Sequence, residues 1–210
     1  MSESGNCWVL DTGSPASFGA IKKINIDGQS YSISESYMGL DPEILSKNLG
    51  YTVSGLIGGD ILNNYDSAWD CKNGKIIFSN EQLEPSGTEV SIGFSVGIPT
   101  LRLVLEGSEQ NWFFDTGANI SYLVEQPTIW KNPIRSYEDF YPGFGKFSTE
   151  VYETEISLAN FNLKVQCGIL PQLLGLSLSI GGCTGIFGIN ELLNSKFYYL
   201  PRVKRLYLDA

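Results

Sequence analysis

The sequence predicts an all-β protein made of two related halves with only short helices, and three observations carry that prediction. Period-2 alternation and β-branched or aromatic runs dominate, as in Ile24-Asn25-Ile26-Asp27, Leu101-Arg102-Leu103-Val104-Leu105 and Val151-Tyr152-Glu153-Thr154-Glu155-Ile156. The tripeptide Asp-Thr-Gly occurs twice, at Asp11-Thr12-Gly13 and Asp115-Thr116-Gly117, each time directly after an apolar or aromatic run. A Gly-apolar-apolar-Gly element follows each copy, as Gly55-Leu56-Ile57-Gly58 and Gly185-Ile186-Phe187-Gly188.

The spacing of these matches is unequal. The Asp-Thr-Gly copies are offset by 104 residues, whereas the glycine elements are offset by 130, as are Lys75-Ile76-Ile77-Phe78 and Arg205-Leu206-Tyr207-Leu208. The chain therefore reads as a tandem repeat whose second unit carries 26 extra residues between its aspartate and its glycine element.

Taken in order, Cys7-Trp8-Val9-Leu10 predicts a strand that delivers Asp11, and Ile24–Ile26 with Tyr31–Ile33 predicts a hairpin turning at Asp27-Gly28. Pro42 after Asp41 suits the first turn of a short helix, and further short helices are expected at Asp60–Asn64 and Asn190–Asn194, after each glycine element. The polar, turn-rich stretch Ser79–Glu89 marks the junction, giving an N-terminal unit over 1–84 and a C-terminal unit over 85–210. The second unit has a full leading hairpin from Val90 through Leu105 to Trp112 before its aspartate. Only ten residues precede Asp11, so its outer partner strand is expected to be absent or supplied by another segment, a propeptide or a partner. The aromatic runs Trp112–Phe114 and Phe197-Tyr198-Tyr199 are expected in the core.

Composition removes several classes of function. The net charge of −9, with 14 Lys+Arg and no basic cluster, argues against a nucleic-acid groove. No run of ~18 apolar residues is present to span a bilayer. Met1-Ser2-Glu3-Ser4 lacks the features of a secretion signal, so a soluble chain is expected, cytoplasmic if its N-terminus is native. The absence of histidine excludes Ser-His-Asp and Cys-His arrangements and His-based zinc sites, leaving carboxylates to carry any acid/base chemistry. Cys7, Cys71, Cys167 and Cys183 have no C-x-x-C spacing; reduced, buried thiols are expected, and a bridge within each unit is the one pairing to test.

Two aspartates held face to face can share one proton, one serving as base toward a water while the other polarises a carbonyl. In each Asp-Thr-Gly unit the glycine lets backbone come close and the threonine hydroxyl can tie two loops together. The doubled pattern, with Leu56-Ile57-Gly58-Gly59-Asp60-Ile61-Leu62 and its looser counterpart Ile186-Phe187-Gly188-Ile189-Asn190-Glu191-Leu192, resembles aspartic peptidases of the pepsin and retropepsin type over nearly the whole chain.

The resemblance implies two pseudo-symmetric acid-protease-type β-barrel lobes in one chain, a cleft between them, and hydrolysis of extended polypeptides without cofactor or metal by a monomer. It implies Asp11 and Asp115 as the catalytic dyad, braced by Thr12 and Thr116 and oriented by Gly13 and Gly117. Ser14 is expected to give Asp11 a hydroxyl hydrogen bond that Ala118 cannot give Asp115, so the dyad should be unequally protonated. The family's substrate-covering flap is expected at Tyr141–Phe147 in the second unit and around Asp27-Gly28-Gln29 in the first, with Tyr31 or Tyr37 as the first unit's flap tyrosine. The alternative is a non-catalytic, degenerate peptide-binding module that retains the cleft.

Overall fold

The computed structural model describes residues 2–3 and 6–209, and strand predominates among them. The N-terminal segment contains β1 (Ser2–Glu3), β2 (Asn6–Leu10), β3 (Phe18–Gly19), β4 (Lys23–Ile26), β5 (Gln29–Ser32), helix α1 (Pro42–Leu49), β6 (Gly55–Ile57), α2 (Gly59–Leu62), β7 (Asp66–Asp70) and β8 (Lys75–Ser79). It is followed by β9 (Thr88–Ser95), β10 (Ile98–Leu105), β11 (Ser108–Asp115), β12 (Ser121–Leu123), β13 (Arg135–Tyr141), β14 (Gly145–Leu158), β15 (Phe161–Ile169), α3 (Gln172–Ile180), β16 (Gly185–Gly188), β17 (Lys196–Leu200) and β18 (Arg205–Asp209). The all-β class is as the sequence predicts.

Local rules account for several of these elements. Asp27 and Gly28 both take positive φ, at 47° and 77°, which is the geometry a two-residue hairpin turn needs between β4 and β5. Asp41 caps α1 by accepting from the Ile44 N–H at 2.8 Å, and Gly50 ends it in the left-handed region at φ 77°. The short helix predicted over Asp60–Asn64 begins one residue earlier. Its second-unit counterpart is only a 3-10 turn over Asn190–Leu192, closed by the Leu192 N–H on the Ile189 carbonyl at 2.8 Å.

Helix α3 is absent from the sequence reading, because Gln172–Ile180 is a mostly apolar run with an internal glycine and no polar cap. It lies at the 130-residue offset from α1. A Cβ on Gly175 would sit 2.9 Å from Val124 Cγ1, so the glycine lets the helix press onto the end of β12.

Around Asp11 the sheet is open, with order β1-β2-β6-β3, and β4-β5 stands apart as a two-stranded ribbon. Around Asp115 the strands β14-β15-β12-β16-β11-β10 run in sequence, and β10 pairs again with β14 through Val104↔Ser157 and Leu105↔Ile156, closing the circuit. The same sheet continues as β9-β18-β17-β7-β8 and so crosses the 84/85 boundary. At the crossing, Ala68 pairs with Tyr198, the residue at the 130-residue offset from it.

The main apolar core is also continuous across the boundary. Trp69 stacks on Phe197 at 5.3 Å, and Phe114 meets Phe197 edge-on at 5.9 Å. Beside it Arg202 forks onto buried Asp66, Nε to Oδ1 at 3.0 Å and Nη2 to Oδ2 at 2.9 Å, and also donates to the Asn80 and Glu81 carbonyls in the junction. All four cysteines are free thiols, and burial pushes Cys183 up to about 11 and Cys167 higher still, which keeps both protonated.

Candidate active site

Each Asp-Thr-Gly loop leaves the end of a strand that is clamped by a glycine element. Strand β6 runs parallel to β2, with Trp8↔Gly55 and Leu10↔Ile57, and β16 runs parallel to β11, with Trp112↔Gly185 and Phe114↔Phe187. The loops then pass so close to these elements that only glycine fits. A Cβ on Gly58 would lie 2.6 Å from the Ser14 carbonyl oxygen, and one on Gly188 would lie 2.4 Å from that of Ile120. Matching hydrogen bonds fix the approach: the Gly59 N–H donates to Ser14 O at 2.7 Å and the Ile189 N–H to Ala118 O at 2.9 Å.

The threonines join the loops reciprocally. Thr12 Oγ1 donates to Phe114 O at 2.7 Å and accepts the Thr116 N–H at 3.0 Å. Thr116 Oγ1 donates to Leu10 O at 2.8 Å and accepts the Thr12 N–H at 3.1 Å. Each hydroxyl thus donates to and accepts from the opposite loop, so neither loop can move without breaking bonds in both.

This grip brings the carboxyls of Asp11 and Asp115 close enough for the charge of Asp115 to act on Asp11. Gly13 lies against the Asp115 carboxyl and Gly117 against that of Asp11: a Cβ would fall 2.3 Å and 2.4 Å from the respective Cγ atoms. Asp115 Oδ1 accepts from the Gly117 N–H at 2.8 Å and the Ala118 N–H at 3.2 Å, while Asp11 Oδ1 accepts from the Ser14 N–H at 2.9 Å.

The role expected for Ser14 is corrected by this arrangement. Its hydroxyl donates to Ala16 O at 2.9 Å, and what reaches Asp11 is its backbone N–H, a group alanine also has. The two environments differ for another reason. Burial, then the charge of Asp115, then the shared hydrogen bond hold Asp11 well above the usual carboxylate range. Burial raises Asp115 too, but the hydrogen bond from Asp11 and the N–H groups of Gly117, Ala118 and Gly13 favour its ionised form. Both acids are thus raised, so the pair holds a proton more tightly than two separate carboxyls would, and the two sides differ in the N–H groups that favour ionisation.

A cavity of about 140 Å³ opens above the two carboxyls. Tyr141, Pro142 and Phe147 of the β13–β14 hairpin line one side, where the second-unit flap is expected. On the opposite side the lining comes from the tight turn Tyr37–Leu40, closed by two mutual backbone bonds of 2.8 Å with Met38 and Gly39 at φ 48° and 78°. The Asp27-Gly28 hairpin does not line the cavity. Its turn is tied to Asn80, whose N–H donates to Asp27 Oδ2 at 3.1 Å, and Tyr31 shares a 2.9 Å hydroxyl contact with Tyr65.

Two serines beneath the loops escaped the sequence reading. Ser17 Oγ accepts from the Gly58 N–H at 2.9 Å and Ser121 Oγ from the Gly188 N–H at 3.1 Å, and both side chains are buried. They are offset by 104 residues, as the aspartates are, so extending the self-comparison a few residues past each loop would have found them. Tyr122 and Asp139 in the cavity wall carry no such signal. No protein-family model matches the sequence, and no curated protein matches it.

Proposed function

We propose that the chain is an aspartic endopeptidase of the pepsin and retropepsin type, hydrolysing extended polypeptides with Asp11 and Asp115 as its catalytic pair. The observation that carries this reading is the reciprocal threonine grip, which apposes two buried carboxyls, each against the glycine of the other loop. Two apposed acids repel when both ionise, and that cost has a purpose in acid/base chemistry. In this reading the chain has two pseudo-symmetric β-barrel lobes divided near residue 84, the first left open. The pairing of Ala68 with its own counterpart Tyr198 supports that symmetry.

Ionised Asp115 takes a proton from a water lying between the carboxyls as the water oxygen attacks the scissile carbonyl carbon. Asp11 gives its proton to the carbonyl oxygen, and the resulting tetrahedral diol collapses as a proton passes from the pair to the departing amine. The cavity is smaller than the ~300–1,000 Å³ typical of a ligand site, so the Tyr37–Leu40 turn and the Tyr141–Gly145 tip separate to admit a peptide.

Asp11→Asn and Asp115→Asn should each lower kcat on a peptide library by on the order of 10²–10⁴-fold or more, and a statine-type transition-state mimic should inhibit the wild type. Cleavage that survives both substitutions, or no cleavage of any peptide between pH 3 and 7, would sink the reading.

A further inference from the structure

The cavity wall holds three carboxylates, Asp11, Asp115 and Asp139, and neither lysine nor arginine. Asp11 and Asp115 lie together, and burial raises both, which lowers the charge the pair carries. Asp139, on β13, is held differently: the Tyr122 hydroxyl donates to its Oδ2, and the Phe140 N–H donates to its Oδ1 at 2.8 Å. Both donors are neutral, so the carboxylate is oriented while its charge is left unbalanced. Among the described residues no ion pair reaches it; Lys146, opposite Phe140 across the hairpin, makes none.

Tyr122 is fixed as a donor, because burial and then the Asp139 charge hold its phenol far above the usual range. Around the acid the wall is apolar, with Phe140, Phe147, Leu170 and Ile186, and the Tyr122 and Phe147 rings meet edge-on at 5.9 Å. An aliphatic stem along that wall, ending in a cation at the carboxylate, has the shape of a lysine or arginine side chain.

We propose that Asp139 is a specificity-determining residue, its carboxylate held by Tyr122 to pair with a lysine or arginine side chain that the substrate carries beside the scissile bond. This rests on the peptidase reading above and narrows it to cationic substrates.

The test compares matched peptides that differ only in lysine, norleucine or glutamate at a position flanking the cleaved bond. Wild type should prefer lysine over norleucine in kcat/KM by about 10- to 100-fold, the scale of one charge-assisted hydrogen bond. Asp139→Asn, which keeps size and acceptor but removes charge, should bring that ratio near one, and Asp139→Glu should restore part of it. A wild-type ratio near one, or a preference that persists in Asp139→Asn, overturns the inference while leaving the peptidase reading standing. If no peptide is cleaved the peptidase reading falls, and fluorescence anisotropy with the same peptides decides the inference. Lysine-selective binding that is lost in Asp139→Asn then supports it, and equal binding of the lysine and norleucine peptides overturns it.

Discussion

The Asp11 and Asp115 regions carry the same loop chemistry on different supports. Behind Asp115, strand β11 has a long outer neighbour in β10, paired from Thr100↔Phe113 to Leu105↔Ser108, and the circuit of strands closes. Behind Asp11, strand β2 has, among the described residues, only Ser2↔Cys7 and Glu3↔Asn6 on that side. The loops nevertheless share the reciprocal threonine bonds, the bond from each glycine element to its loop, and the glycine N–H groups on Ser17 and Ser121. The geometry of each loop is therefore set by its own glycine element and by the opposite loop, with the outer sheet contributing little to it.

Breaking the grip tests that conclusion most strongly. Thr12→Val and Thr116→Val each remove a side chain that makes two hydrogen bonds and leave a carbonyl and an N–H of the other loop unpaired. Each should cost about 2–4 kcal/mol in denaturant unfolding. Thr12, fully buried, should cost the more, and a double-mutant cycle should show strong coupling. If the losses simply add, the loops are held independently.

The serines sharpen the comparison further. Ser17 Oγ also donates to Asp60 Oδ1 at 2.6 Å, whereas position 190, at the 130-residue offset, is Asn190, and Ser121 makes no such bond. Ser17→Ala should therefore cost about 1.5–3 kcal/mol and Ser121→Ala about 1 kcal/mol, read from thermal or denaturant midpoints. Equal costs would mean that the Asp60 contact contributes nothing.

The smallest expected effect is one of pH. Both aspartates have folded values raised above their unfolded ones, so their contribution to stability is fully present below the unfolded carboxylate range. It is lost as pH rises through the folded values. Wild type should thus lose Tm on going from acid toward neutral pH in a step that Asp11→Asn largely removes, leaving that variant the more stable at neutral pH. A Tm–pH profile of the same slope in both proteins would mean that burial and the neighbouring charge of Asp115 do not raise Asp11.

Features governed by neighbours in sequence were legible without the structure. The turn at Asp27-Gly28, the Asp41-Pro42 helix start, the two glycine elements and the doubled Asp-Thr-Gly all follow from residue types at short spacing. What escaped depends on distant partners. Ser14 directs its hydroxyl to Ala16 because its N–H already serves Asp11. The Asp27-Gly28 hairpin is tied to Asn80, far along the chain, and it is the Tyr37–Leu40 turn that lines the cavity. Helix α3 is helical through its packing on β12, against a sequence that reads as an apolar run.

The seam between β7 and β17 bears on which strands can assemble with which. Ser67, Ala68 and Trp69 on one side face Tyr199, Tyr198 and Phe197 on the other, so small residues meet large ones and one wide aromatic lies flat on another. Two copies of β7 in the same register would set Ala68 against itself and leave a void; two copies of β17 would set Tyr198 against itself and crowd the sheet. A chain that repeats its own plan has thereby made its two seam strands fit each other better than either fits its own kind, which disfavours exchange between molecules.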